Sequence, residues 1–346
     1  MHIYLERPFN FSEVSLLKQC HLDYCCGNGT MEPIAASEPI LWNSLEAGNE
    51  DRSLPEEVEF EWSCTSGKDT VSFNLCISES PEFENAMILD NLTEKKISVP
   101  NLLLGVKYYW KVVSREAGRI IGESDIGSFT TSDVPPRWIK VPGITNVRDI
   151  GGWKTTGGKR VKQGLVYRSS EMNSHKTVTE EGKRILLEGL RIKTDLDLRG
   201  ATEETMPVLD SRSVNWINLP IAPYENIVEE QCRENFRMLF NIFSEPGNYP
   251  ILLHCWGGAD RGGTAVFLLN ALLGVGERDL MLDYELSSYS IWGPRSRESK
   301  EFKGLTAALD CFGEADDGIC RKVENYLKHI GLTEEAMGKI KRMLTA

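Results

Sequence analysis

Cys255 and Arg261 stand with five residues between them, Trp256, Gly257, Gly258, Ala259 and Asp260. The residues before them, Ile251-Leu252-Leu253-His254, form a short apolar run, and those after them stay largely apolar to Leu273. A strand that runs into a glycine-rich turn and then opens a helix can make successive backbone N–H groups face one point, with the helix N-terminus behind them. That arrangement is an anion site shaped for a phosphate group. Cys255 would lie at its centre, where the N–H groups, the helix dipole and Arg261 all favour the nucleophilic thiolate. Arg261 supplies a planar fork for two equatorial oxygens of a transferring phosphoryl group. Gly257 and Gly258 let the backbone approach without a side-chain clash. Phosphoryl transfer needs mostly positioning and charge stabilisation, and residues 256–261 offer both. An isolated cysteine would read as a buried structural thiol; His-Cys with glycine and arginine at these offsets favours chemistry.

The elements that must position this loop follow an alternating strand and helix pattern beyond the proline-stiffened linker Ser132-Asp133-Val134-Pro135-Pro136. Thr179 can cap a helix running to about Glu188, with Gly189 as its stop. Ile192 to Leu198 reads as a strand, Glu229 to Phe243 as a helix, and Tyr249 to His254 as a strand. The helix after the loop ends at Leu273 with Gly274, and Thr333 suits the cap of the last helix. Such alternation predicts an α/β domain with a mainly parallel sheet and a helical C-terminal part.

The loop resembles the His-Cys-x5-Arg signature of the protein tyrosine phosphatase superfamily. More narrowly it is similar to the atypical bacterial branch of tyrosine and dual-specificity phosphatases, which places an Asp just before the Arg. Asn146-Val147-Arg148-Asp149-Ile150-Gly151-Gly152 resembles that branch's N-x-R-D-x-G-G motif, and Thr194-Asp195-Leu196-Asp197-Leu198-Arg199 its D-L-R strand end. With Gly164 to Ser169 and Tyr284-Glu285-Leu286, the resemblance covers residues 137–346. It implies the cysteine-based phosphatase fold and hydrolysis of phosphotyrosine or a similar phosphomonoester through a phosphocysteine, with no cofactor and no metal.

The resemblance also implies roles. The proton donor for the leaving oxygen comes from the loop in this branch, which here means Asp260; Asp197, whose strand end should open on the same crevice, is the alternative. His254 tunes the thiolate through hydrogen bonds rather than acting as a base. Arg148, Asp149, Arg168 and Arg199 brace the loop or add positive potential, unless they are structural ion pairs. Two positions depart from the pattern. Ala259 stands where some members carry a Lys associated with phosphoinositide substrates, and Gly262 where a Ser or Thr hydroxyl is usual. The second puts the second chemical step in doubt, not phosphate binding.

The other half of the chain has a different period. Val58, Phe60 and Trp62 alternate with glutamates, and Val71, Phe73, Leu75 and Ile77 repeat the pattern after a turn at Ser66-Gly67-Lys68-Asp69. Tyr108, Trp110 and Val112 continue it. Short strands at such intervals predict a β-sandwich. Trp62, the Gly105-to-Val112 strand and Ser128-Phe129-Thr130-Thr131 make the segment 37–132 resemble a fibronectin type III domain, leaving 1–36 unassigned and 133–136 as linker. Such domains act as spacers or docking modules.

At 346 residues the chain has room for roughly two domains at about 150 each. Lys plus Arg total 39 and Asp plus Glu 51, a net charge of −12 that opposes non-specific nucleic-acid binding. The expected partner is a phosphotyrosine protein or aryl phosphate. No uncharged apolar run reaches the roughly 18 residues of a membrane span, and the charged N-terminus lacks a signal-peptide core. A cytoplasmic location is therefore the default expectation, with export open if the true start lies elsewhere. Cys20, His21, Cys25 and Cys26 cluster without the C-x2-C spacing of a metal site, so ordinary thiols are expected. Lys154, Lys159, Arg160 and Lys162 flank Gly157-Gly158 as a hairpin with a basic face, which could attract an anionic substrate. Two rivals remain: a phosphate-binding pseudo-phosphatase with the sandwich as the working module, and a rhodanese-like sulfurtransferase.

Overall fold

The computed structural model describes residues 1–27, 50–65, 71–200, 202, 203 and 205–346. The expected turn at 66–69 and the first residues of the 37–132 segment, up to 49, lie outside these. Two compact units emerge: Met1–Cys20 with Pro55–Val134, and His21–Leu54 with Pro135–Ala346.

The first unit is built from β1 (Ile3–Arg7), β2 (Ser12–Val14), β3 (Val58–Cys64), β4 (Val71–Ser78), β5 (Met87–Leu92), β6 (Lys96–Val99), β7 (Lys107–Glu116), β8 (Arg119–Glu123) and β9 (Gly127–Thr131). One sheet has the order β1-β3-β6 and the other β2-β9-β7-β4-β5, with β8 paired to β7. The period-two residues supply the core. Phe60 meets Trp110 at 5.1 Å and Phe129 at 5.7 Å, edge to face, and Trp62 meets Phe73 at 5.6 Å. Aromatic pairs at this spacing and tilt gain beyond their buried area.

The N-terminal segment corrects the expected boundaries. Residues 1–20 join the sheets instead of preceding them: β1 pairs antiparallel with β3, setting Ile3 against Cys64 and Leu5 against Trp62. Ile3 and Leu5 alternate with Tyr4 and Glu6, a strand signal too short to stand out among charges. The stretch from His21 belongs with the second unit. α1 (Gln19–Cys26) turns His21 into the interior, its Nε2 2.8 Å from the Arg52 carbonyl and its ring 4.7 Å from Tyr289. Tyr24 donates to Glu285 at 2.5 Å.

The second unit contains β10 (Arg137–Trp138), β11 (Arg148–Asp149), β12 (Val166–Ser169), α2 (Glu180–Arg184), β13 (Thr194–Asp197), β14 (Asn215–Asn218), α3 (Glu230–Ser244), β15 (Ile251–His254), α4 (Arg261–Leu273), α5 (Glu277–Glu285), α6 (Lys300–Asp310), α7 (Ile319–His329) and α8 (Glu334–Leu344). The sheet order is β10-β11-β12-β15-β13-β14; the last four strands are parallel and the first three pair antiparallel. β15 is fully buried between β12 and β13, with His254 opposite Ser169 and Asp197. Three parallel strands thus end together where Cys255 begins, the end at which open α/β sheets bind ligands.

Local signals placed these elements. Thr179 accepts from Gly182 N and Thr333 from Ala336 N at their helix starts. Gly274 ends α4 at φ 86°. All of α4 after Arg261 is buried, so its sequence is apolar on every face. The basic hairpin forms, Lys154 pairing with Arg160, but its chain runs into the start of β12, whereas Cys255 follows the end of the parallel β15. It stands at the opposite end of the sheet from Cys255 and offers no basic face to it.

Candidate active site

β15 delivers Cys255, 2% exposed, to the floor of a pocket of about 360 Å³ lined by Cys255, Trp256, Gly257, Asp260, Arg261, Trp292 and Arg295. The loop's carbonyls are tied on its outer side. Trp256 O accepts from Glu171 N at 2.9 Å, Gly257 O from Asn146 Nδ2 at 2.9 Å, and Gly258 O from Arg168 Nη2 at 2.5 Å. In a trans peptide the next N–H points the opposite way, so the N–H groups of Gly257, Gly258 and Ala259 face away from these partners.

Gly258 cannot be replaced without strain. It sits at φ 67°, and a Cβ there would lie 2.3 Å from Ser169 O. Gly257 is pressed by an aromatic wall, since a Cβ would come within 2.8 Å of Trp292 Cγ. Trp292 is itself held by Nε1 donating to Thr145 Oγ1 at 3.0 Å. Trp256 packs against His175 with ring centroids 4.0 Å apart and planes tilted by 39°, and the two tryptophan rings stand 6.5 Å apart at 75°.

Arg168 holds the loop at the Gly258 carbonyl and shares a counter-charge with Arg148. Asp283 bridges Arg148 Nε at 3.1 Å and Arg168 Nη1 at 2.8 Å. Arg148 also donates to Asn146 Oδ1 and, through Nη2, to the Asp283 carbonyl at 2.6 Å. Asn146 thereby gains a fixed orientation, and its amide holds Gly257. Asp149 works elsewhere: it takes Arg137 at 2.8 Å and the N–H groups of Gly151 and Gly164 at 2.8 and 2.6 Å.

Asp197 is fully buried and taken by Arg199, whose Nε and Nη2 donate at 2.9 and 2.8 Å. Arg199 Nη1 continues to Glu171 at 2.9 Å. Asp197 therefore orients Arg199, not Arg261. His254 Nε2 lies 3.0 Å from Asp195 Oδ1, and Nδ1 3.8 Å from Asp197 Oδ1. Burial alone would push this imidazole down; the Asp195 carboxylate, with Asp197 beyond it, outweighs that and holds it above its ordinary value.

Both arginines that line the pocket carry a carboxylate. Arg261 meets Glu203 through Nη1 and Nη2 at 2.5 and 2.8 Å. Arg295 meets Asp260 through Nε and Nη2, each at 2.8 Å. Tyr224 donates its hydroxyl to Asp260 Oδ1 and lies 3.0 Å from the Tyr284 hydroxyl. Burial raises the Asp260 carboxyl, but Arg295 first, then Tyr224 and Arg261, bring it below the usual carboxylate range. Tyr224 has φ 62°, a strained setting for a bulky residue, and its N–H donates to Thr264 Oγ1 at 3.1 Å.

Sequence reasoning missed Glu203, Arg295, Trp292, Tyr224, Glu171 and Asp283 as parts of this site. Asp283 immediately precedes the flagged Tyr284-Glu285-Leu286, and Glu203 follows Arg199 by four residues, so proximity to motifs was the available signal. Nothing local marked Arg295 or Trp292, which reach the loop only through the path of the chain after α5.

Gly262 faces the nucleophile: a Cβ there would lie 4.0 Å from Cys255 Sγ and 3.5 Å from Leu253 Cδ1, ordinary contacts. The Thr264 hydroxyl oxygen accepts from Tyr224 N at 3.1 Å.

Among the described residues, no three His, Cys, Asp or Glu side chains gather as a metal site, and no helix is long and apolar enough to cross a membrane.

A protein of Cupriavidus necator, provisionally named a tyrosine-protein phosphatase, is 27% identical to this chain over 165 residues. The match covers 41% of this chain and 59% of that relative. Among solved structures, the core catalytic domain of the yeast PP-IP phosphatase SIW14 is 18% identical, with a TM-score of 0.32, over 50% of this chain and 95% of its own. The fn3 domain of human contactin 1 is 18% identical, with a TM-score of 0.22, over 23% of this chain and 70% of its own. Likenesses of that strength say nothing further about this chain. The profile described as the tyrosine phosphatase family matches residues 139–346, and with that span, more than half of its length, the chain belongs to the tyrosine phosphatase family.

Proposed function

We propose that this chain is a cysteine-dependent phosphatase that hydrolyses phosphotyrosine or a similar aryl phosphate. The observation that carries the reading is the pocket itself, which brings Cys255, Asp260, Arg261 and two tryptophans, Trp256 and Trp292, around one cavity. Its volume of about 360 Å³ suits one small aromatic ester. Phosphoryl oxygens bind the N–H groups of residues 256–261 and the Arg261 guanidinium. A lone pair of the Cys255 sulfur forms the S–P bond as the P–O bond breaks, and the leaving oxygen takes a proton from Asp260. Water then attacks phosphorus, and the S–P pair returns to sulfur. The loop supplies the charge stabilisation that a metal provides in other phosphatases.

Ala259 in place of a lysine favours aryl phosphates over phosphoinositides. We assign the phosphatase domain to 137–346, joined by the described residues 21–27 and 50–54, and the first unit to a fibronectin type III-like spacer or docking module. One observation favours a second reading, a phosphate-binding pseudo-phosphatase: Gly262 leaves the Cys255 sulfur without the usual hydroxyl. Phosphate release from a panel of phosphopeptides and phosphoinositides, with Cys255→Ser as control, decides between them. Release from phosphotyrosine peptides that vanishes in Cys255→Ser supports the enzyme; no release from any member supports the pseudo-enzyme.

A further inference from the structure

Every cation lining the pocket is already covered by a carboxylate. Glu203 takes Arg261, and Asp260 takes Arg295 in a two-bond contact at 2.8 and 2.8 Å. Arg295 is buried and is fixed further by the carbonyls of Trp292 and Gly293, at 3.2 and 3.3 Å from Nη1. The groups that face Asp260 are Arg295 from the segment after α5, Tyr224 from before α3, Arg261 at the start of α4, and Tyr284 of α5 through the Tyr224 hydroxyl. Behind the loop stand His254, Asp195 and Asp197.

Arg295 therefore holds Asp260 as a carboxylate, the wrong state for a proton donor. A phosphoryl dianion over Cys255 changes the balance. It brings two negative charges beside Asp260 and competes for the Arg295 field, and a like charge at close range favours the neutral carboxyl.

We propose that Arg295 is a positioning residue that sets the charge of Asp260, so that a phosphate-like dianion entering the pocket loads Asp260 with one proton from solvent. This rests on the reading of Asp260 as proton donor and deepens it. The balance closes: the carboxylate takes a proton as the dianion binds, gives it to the leaving oxygen as P–O breaks, and returns to the carboxylate held by Arg295. The donor is charged with its proton only when a substrate is present.

The test is the pH dependence of tungstate binding in Cys255→Ser, where the ionisable sulfur is gone and turnover plays no part. Binding that takes up one proton weakens about tenfold per pH unit over the range in which the free carboxyl is ionised and the bound one protonated. In Cys255→Ser that slope is expected to set in above the depressed pKa of the free Asp260 carboxyl and to end where the bound carboxyl ionises. It should vanish in Cys255→Ser/Asp260→Asn, where His254, Asp195 and Asp197 are unchanged. It should persist with Arg295→Lys and move to higher pH with Arg295→Gln. A flat affinity in Cys255→Ser, or a slope that survives Asp260→Asn, overturns the proposal; neither result depends on an Arg295 variant folding. If the unmutated protein releases no phosphate from any ester while the slope is present, the enzymatic reading fails and this coupling stands.

Discussion

Arg261 meets Glu203 end-on, with Nη1 2.5 Å from Oε2 and Nη2 2.8 Å from Oε1. A guanidinium has a second edge, Nε with the other Nη2 hydrogen, and the end-on contact leaves that edge for a ligand. Glu203 is itself held, since its Oε2 accepts from Gly200 N at 2.7 Å. Arg261 is thus aimed from β13's end rather than left to its own rotamers.

Glu203→Ala is expected to lower kcat/KM for an aryl phosphate, chiefly through KM. A hydrogen bond to a charged group contributes roughly 1.5–3 kcal/mol, about 10–150-fold in rate. Steady-state kinetics measure it. Faster turnover in Glu203→Ala would mean instead that the carboxylate plugs the site.

Asp260→Asn should slow esters with poor leaving groups by about 10²–10⁴ and spare nitrophenyl phosphate, whose leaving group needs little help. Asp197, enclosed by Arg199, is not expected to show that selectivity. A leaving-group series on both variants checks this, and selectivity in Asp197→Asn alone would reverse the assignment.

Asp283 offers a stability test. It is the shared counter-charge of the buried Arg148 and Arg168, and removing it leaves two guanidinium groups without compensation. Asp283→Ala should destabilise by about 3–5 kcal/mol in denaturant unfolding. Burial raises this carboxyl, but Arg148 and Arg168 pull it below its ordinary value. Its contribution is therefore complete above the unfolded-state pKa of about 3.9 and is lost as pH falls through the lower folded value. Asp283→Ala should flatten that acid limb; an unchanged limb would place the acid sensitivity elsewhere.

Chain-local signals were legible. The Thr179 and Thr333 caps, the Gly274 stop and the alternation of Phe60 with Glu59 and Glu61 each depend on neighbours a few residues away. Cys255, Arg261 and Asn146 were legible because one loop and one motif carry them. Glu203, Arg295 and Trp292 were not, because each reaches the loop from a distant segment; Arg295 lies 35 residues beyond Asp260. β1 escaped notice for a related reason: Ile3 and Leu5 make a strand only because β3 lies beside them.

Gly262 bears on the second chemical step. A Cβ there would lie 4.0 Å from the Cys255 sulfur, close enough for a hydroxyl carried on it to reach that atom; the Thr264 hydroxyl oxygen accepts from Tyr224 N, a bond that uses its oxygen and not its proton. Expulsion of sulfur from the phosphoenzyme lacks the hydrogen bond that a hydroxyl at 262 would give, worth roughly 1.5–3 kcal/mol. A pre-steady-state burst of phenol is expected, and Gly262→Thr should shrink it while raising steady-state turnover. Stopped-flow traces show either this or no burst, and the latter would mean that the second step is not limiting.

The most direct measurement is acid quench of the protein during turnover of an aryl phosphate, followed by mass spectrometry of the peptide that contains Cys255. Phosphate on the Cys255 sulfur, present in the unmutated protein and enriched relative to Gly262→Thr, is the expected result. Turnover without any adduct, or with phosphate on another side chain, would contradict a cysteine mechanism in this pocket.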